Sequence, residues 1–166
     1  WDGLQDLLLT EPWHVVHFVG HGDYDHRADE GVLALVAPDG YRHDVEAERF
    51  VDLLREAQPM PRLVVLNSCA SGTGSEFDLF SGTAAALTRG GVSAVAAMQF
   101  EISDQAALHF CRGFYSAVAA GRGVDEAVKS GRVAILGGSK STLEWVTPIL
   151  YMRGLDAHLF DVSHEH

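Results

Sequence analysis

Apolar residues gather in five short runs: Trp13 to Gly20, Val32 to Val36, Leu63 to Leu66, Val92 to Ala97 and Trp145 to Tyr151. Each is too short for a stable helix and is bounded by turn formers or polar loops, so each reads as a strand. Pro38-Asp39-Gly40 supplies a turn, because Pro presets φ and Gly accepts a positive φ. Tyr41 to His43 then returns as the second half of a hairpin. Between the runs the period changes to that of a helix. Val45, Phe50, Val51, Leu53 and Leu54 fall on one helical face, with Asp44 as its N-cap and Pro59 and Pro61 as its stop.

Asp2 to Leu9 reads as a short helix and Phe80 to Thr88 as a small-residue helix ended by Gly90-Gly91. Asp104 is expected to cap a long helix that reaches Ala120, and Val124 to Leu136 to form another after the break at Gly121 to Gly123. Loops are expected at His21 to Gly31, Ser68 to Leu79, Met98 to Ser103 and Gly137 to Ser141. Strands alternating with helices predict an α/β fold: a mostly parallel central sheet covered on both faces by helices, in one domain spanning residues 1–166.

Composition changes this picture little. A chain of 166 residues with 47% hydrophobic content can bury a sizeable core. It has neither a bilayer-length apolar run nor a basic segment followed by an apolar one, so no membrane partner is expected. Position 1 is Trp, and the chain is expected to be a piece cut from a longer protein. Charge is more telling. The formal net charge is −11, with Lys129 and Lys140 the only lysines. Nucleic acid is thereby disfavoured, because phosphate binding needs clustered Lys and Arg. Basic or neutral partners are favoured. Cys69 and Cys111 lack zinc-type spacing and are expected to be free thiols.

The chemistry lies at two strand ends. His14-Val15-Val16-His17-Phe18-Val19-Gly20 runs into His21-Gly22, and Leu63-Val64-Val65-Leu66-Asn67-Ser68 runs into Cys69-Ala70-Ser71-Gly72. Open α/β sheets build their sites at the carboxyl ends of strands. A cysteine there with a histidine nearby suggests a thiolate nucleophile and its base. The backbone N–H groups of Gly22 and Cys69 are candidates for an oxyanion hole.

Competing readings are weaker. His14, His17, His21, Asp23, Asp25 and His26 crowd within thirteen positions and offer metal-ligand chemistry. Strand alternation, however, turns His14 to the opposite face from His17, and a metal would leave Cys69 idle. Asp23, Asp25 and His26 read more simply as a solvated loop, and His17 as a residue lying under the site. Ser71-Gly72-Thr73-Gly74-Ser75-Glu76 lacks the Lys-Ser/Thr of a phosphate loop. Cys111, near Leu108, Phe110 and Phe114, reads as core packing.

Val16-His17-Phe18-Val19-Gly20-His21-Gly22 and Val65-Leu66-Asn67-Ser68-Cys69-Ala70-Ser71-Gly72 resemble the two active-site motifs of CHAT domains. These are caspase-like cysteine peptidases, related more distantly to separases, caspases and gingipains. Their order supports the likeness, and the 48-residue step from His21 to Cys69 is close to the caspase spacing of about 50. Gly90 to Val95, Phe100 to Asp104, Phe114-Tyr115 and Trp145 to Tyr151 resemble later parts of the family in order.

The resemblance implies a caspase-like three-layer sandwich and metal-free, cofactor-free endopeptidase chemistry on a protein or peptide substrate. His21 would be the base and Cys69 the nucleophile. The family is mainly bacterial and intracellular, which implies a cytoplasmic setting. Its members are often switched on by a sensor or repeat domain in the same chain or a partner. Phe100-Glu101-Ile102-Ser103-Asp104 matches the family's Trp-Asp-Val-Thr-Asp stretch, with Phe for the usual Trp and Glu for the common Asp. In basic-specific relatives an acidic residue of that stretch faces the P1 side chain. Glu101 and Asp104 are therefore expected to read Arg or Lys at P1. The alternatives are a metal-dependent hydrolase built around His21 and a catalytically inactive interaction module.

Overall fold

Runs with no polar face go to the middle of the sheet, and runs with one polar face go to its margins or into helices. The computed structural model describes residues 1–25, 27, 30–68, 80–138 and 143–162, with backbone alone at Ser68. In chain order the described elements are α1 (Asp2–Thr10), β1 (Val15–Asp25), β2 (Glu30–Val36), β3 (Arg42–Glu46), α2 (Ala47–Glu56), β4 (Leu63–Ser68), α3 (Ser81–Gly90), β5 (Ala94–Met98), α4 (Asp104–Ala119), α5 (Val124–Gly138), a 3-10 turn (Glu144–Val146) and β6 (Pro148–Met152). The strands form one six-stranded sheet in the order β3-β2-β1-β4-β5-β6.

The α/β class is as expected, but the mostly parallel sheet is corrected to a mixed one. β1, β4 and β5 are parallel neighbours. β2 and β3 form an antiparallel extension on one side, and β6 is antiparallel to β5 on the other. The physical reason is the number of reversals between strands. One helix returns the chain parallel, as α3 does between β4 and β5. The hairpin of α4 and α5 adds a second reversal, so β6 arrives antiparallel.

Two cores lie on opposite sheet faces. Val64, Leu66, Val95 and Ala97 meet residues of α1, α2 and α3 on one face. Leu63, Val65, Ala94, Ala96 and Met98 meet α4 and α5 on the other. β4 and β5 supply both cores, which is why their runs are continuously apolar. Glycines let α4 and α5 approach closely. A Cβ at Gly113 would lie 2.6 Å from the Ser130 carbonyl oxygen, and one at Gly131 only 2.5 Å from the Phe110 ring.

Several boundaries differ from expectation. β1 continues through His21 to Asp25 instead of giving way to a loop, because His21-Gly22-Asp23-Tyr24-Asp25 alternates outward and inward and pairs with β2. Asp44 lies in β3 and holds Arg42 at 2.6 Å, while Glu46 occupies the α2 N-cap position. Ser103, not Asp104, caps α4, accepting the Ala106 N–H at 3.2 Å through its hydroxyl. The last apolar run opens with the 3-10 turn before β6 begins. Gly40 and Gly91 take the positive φ values, 84° and 125°, that their turn and helix stop require. No described helix is long and apolar enough to cross a membrane.

Candidate functional site

β1 and β4 run side by side in parallel from Val15 opposite Leu63 to Gly20 opposite Ser68. There β1 changes partner. From His21, opposite Ala34, to Asp25, opposite Glu30, it pairs with β2 on its other edge. His21 is thus the first residue beyond the β1–β4 ladder, and it is exposed at the carboxyl edge of the parallel strands. Cys69 follows Ser68 in sequence. It lies outside the described residues, as do the 70–79 segment with its phosphate-loop-like stretch and His26.

The local sequence explains the change of partner. Phe18 curls back beneath Gly20, where an added Cβ would lie 2.7 Å from Phe18 Cζ. The same ring meets Phe80 edge-on at 6.3 Å between centroids, which anchors β1 to the start of α3. Gly22 is buried next to the exposed His21. Backbone alternation adds a second distinction. The His14 carbonyl accepts N–H bonds from Arg62 and Leu63 at the start of β4. Even-numbered residues of β1 therefore aim their N–H and C=O groups toward β4, and odd-numbered ones away from it. Gly22 falls in the even set, two residues past the last pair with β4.

Beneath His21, on the α4 face, the odd-numbered row continues with Val19 and His17. Asn67 of β4 pairs with Val19, and His17 with Val65. α4 brings Cys111 and Tyr115, one turn apart, against this row. The Tyr115 hydroxyl lies 3.0 Å from His17 Nδ1. Asn67 donates from Nδ2 to Cys111 Sγ at 3.6 Å, and its buried Oδ1 has no hydrogen-bond partner among the described residues. Burial pushes the Cys111 thiol pKa up and the His17 pKa down. Burial, helped by the neighbouring Cys111, pushes Tyr115 up to about 12. All three shifts favour the neutral forms, so this is a polar but uncharged seam at neutral pH.

His17 lies four residues before His21 in the same row of β1, and Cys111 packs against the second core. Asn67 and Tyr115 were not expected as partners of this seam. The signal for Asn67 was available: it is the one amide ending an otherwise apolar strand, and such a group needs a partner.

Glu101 and Asp104 follow β5 at the same carboxyl edge, two strand spacings or about 10 Å across the sheet from β1. Ile102 between them is 1% exposed and pins the segment to the core. Glu144 Oε1 accepts the Ser103 N–H at 2.6 Å, tying the segment to the 3-10 turn. Glu101 is half-buried and Asp104 exposed. Phe100 and Trp145 expose apolar surface close by, on either side of the bond from Gln99 N–H to Thr147 O.

The metal reading finds no support in how β1 places its ligands. The strand is extended, which sets His21 and Asp25 roughly 13 Å apart. Asp23 is engaged with Arg42 at 3.2 Å, and Asp25 accepts the Arg27 N–H at 2.8 Å. Among the described residues, no three His, Cys, Asp or Glu side chains come together as a metal-binding group.

No curated protein matches the chain. The family comparison is positive, and it runs from α1 through β6, taking in both strand ends and the Glu101–Asp104 segment. The CHAT domain model matches residues 2–155 of 166, and the chain therefore belongs to the CHAT domain family, a caspase-like family.

Proposed function

We propose that the chain is a cysteine endopeptidase domain in which Cys69 is the nucleophile and His21 the base. The observation that carries the reading is the strand pair. His21 leaves the parallel ladder on β1 beside the end of β4, the strand that leads into Cys69, within a caspase-like family.

The Cys69 thiolate attacks the scissile carbonyl carbon, and His21 delivers a proton to the departing amine. A thioester remains. Water, losing a proton to His21, attacks the thioester and releases the carboxylic acid and the thiol. The oxyanion of each tetrahedral intermediate is held by the N–H groups of Gly22 and Cys69. Alternation supports this role for Gly22, because its N–H belongs to the set facing the β4 side, beyond the last paired residue. The substrate carries Arg or Lys at P1, read by Glu101 or Asp104 through charge-assisted hydrogen bonds. Supporting this preference are the place of both carboxylates at the carboxyl edge and the net charge of −11. A sensor or repeat domain, in the same chain or a partner, switches the domain on.

The test is cleavage of a peptide library by wild type, Cys69→Ala and His21→Ala. Wild type should cut after Arg or Lys. Each variant should lose at least about 100-fold in rate, the usual scale for a missing proton-transfer group or nucleophile. Chelator-sensitive hydrolysis that survives Cys69→Ala would favour a metal site instead. A profile led by Asp at P1 would overturn the basic pocket while leaving the nucleophile in place.

A further inference from the structure

Val19 lies on the flank of the proposed base and is open to solvent. It precedes His21 by two residues in the odd-numbered row of β1, about 7 Å below it on the α4 face. Val19 is 59% exposed, while Val64, Val65 and Leu66 of the neighbouring β4 are 0% exposed. A lone exposed valine is ordinary on a protein surface. What sets this one apart is its neighbour on α4.

α4 starts at Asp104, just past the carboxyl end of β5, and runs toward the amino edge of the sheet. Two contacts fix its register. Cys111 meets Asn67, the residue that pairs with Val19, and Tyr115 meets His17 one rung lower. Leu108 lies one helical turn before Cys111 on the same flank. It therefore stands one rung higher, level with the end of β4. Leu108 is 71% exposed, whereas the adjacent Ala107 faces the core at 8%. Val19 and Leu108 thus bracket the uncharged seam of Asn67, Cys111 and Tyr115 with open apolar surface, beside His21.

Under the peptidase proposal, chemistry sets the direction in which a substrate crosses this edge. The strands follow in the order β1, β4, β5. They lead to His21, to Cys69 and to the Glu101–Asp104 segment respectively. The P1 side chain points toward Glu101 and Asp104, and the departing amine must meet His21. The half of the substrate that leaves with the amine therefore crosses to β1. Successive Cα atoms are about 3.8 Å apart and neighbouring strands about 4.8 Å, so the first leaving residue, P1′, falls over the end of β1. The His21 side chain projects on the α4 face. P1′ consequently stands on that face, above Val19 and Leu108 and away from α2 and α3.

We propose that Val19 and Leu108 form the P1′ subsite, and that the substrate carries an aliphatic residue immediately after its Arg or Lys. The inference rests on the peptidase reading and adds the leaving side of the cleavage sequence to it. A leucine at P1′ exchanges water for contact with both side chains. An amide of the same shape gives up its hydrogen bonds to water against the same two apolar groups. The preference is graded, because the subsite stays open on its solvent side.

Paired peptides test it. They are identical around Arg at P1 and carry Leu or Asn at P1′, side chains of one shape and opposite polarity. For wild type, kcat/KM should be at least about 5-fold higher with Leu, part of what full burial would give. In the double variant Val19→Thr, Leu108→Gln the ratio should fall to within about 2-fold of one. Both positions are exposed and Thr keeps the β-branch, so the fold stands. Leu136→Gln, at another exposed leucine, on α5, should leave the ratio where it is. Equal rates with the two peptides in wild type, or an unchanged ratio in the double variant, would overturn the subsite and leave Cys69 and His21 in place. No cleavage of any peptide would count against the peptidase reading instead, and binding then decides the subsite. A hexapeptide with Leu at its N-terminus, the leaving half of the substrate, is titrated to roughly 10 mM, the range of weak single-side-chain contacts. It should shift the Val19 and Leu108 methyl resonances saturably, and its Asn counterpart should not. No shift with either peptide, equal shifts with both, or shifts that follow protein concentration at the mass of a dimer would overturn the proposal.

Discussion

Replacing Asn67 by Leu should make the protein more stable. Asn67 is 2% exposed on β4, two residues before Cys69. Among the described residues its only side-chain hydrogen bond is the long one from Nδ2 to Cys111 Sγ, 3.6 Å, and Oδ1 has none. Turning the amide over leaves the nitrogen unpaired instead of the oxygen, so the conclusion does not hang on the assignment of the two atoms. A buried polar atom without a partner costs about 1–3 kcal/mol, against roughly 1 kcal/mol at most for the bond to sulfur. Leucine has the same number and branching of side-chain heavy atoms with no polar atom. The expected gain is about 1–2 kcal/mol, or roughly 2–8 °C in Tm for a chain of this size. Thermal unfolding followed by circular dichroism measures it. Asn67→Ala, which also leaves a cavity, should instead lower Tm. If Asn67→Leu also lowers Tm by several degrees, Oδ1 has a partner in solution and the reasoning fails. Under the peptidase proposal, peptide cleavage by Asn67→Leu should fall even as Tm rises, because an unpaired group kept beside the nucleophile has been kept at a cost in stability.

Tyr115→Phe removes the bond to His17 Nδ1 and should cost about 0.5–1.5 kcal/mol in chemical denaturation. The His17 pKa is lowered in the folded state, so its contribution is fully present above the unfolded value near 6.5 and is lost as pH falls below it. Tm should accordingly drop more steeply from pH 7.5 to 5 in wild type than in His17→Gln. Gly113→Ala brings a methyl within 2.6 Å of a backbone oxygen, which cannot rotate away. An overpacking cost of about 1–3 kcal/mol should outweigh the helix-propensity gain of about 1 kcal/mol and lower Tm. Gly137→Ala, with open space around the new Cβ, should raise it slightly.

What could be read from the sequence follows from how many faces each element buries. β4 and β5 are apolar on both faces and stand out without ambiguity. The helix face of Phe50, Val51, Leu53 and Leu54 is equally plain, and all four are buried. The second half of β1 was not legible as a strand, because Gly and Asp dominate its composition. Its period of two was present but weak, carried by the buried Gly22 and half-buried Tyr24 between exposed His21, Asp23 and Asp25. The helix caps slipped for a different reason. Asp44, Ser103 and Asp104 are all good capping residues, and only the chain path decides which one meets a free N–H. The mixed sheet was legible in principle, since two consecutive helices between β5 and β6 return the chain antiparallel. The seam of His17, Asn67, Cys111 and Tyr115 was not, because pairing a strand row with a helix face needs the register of β1 on β4.

That register also bears on the proposed site. One alternation along β1 sends the His21 side chain to the α4 face and the Gly22 N–H to the β4 side. A base and an oxyanion donor can thus come from adjacent residues without distorting the strand. The same alternation leaves the N–H and C=O groups of Val15, His17 and Val19 on the opposite edge. A one-residue slip of β1 on β4 would send His21 to the opposite face, away from the row of His17 and Val19.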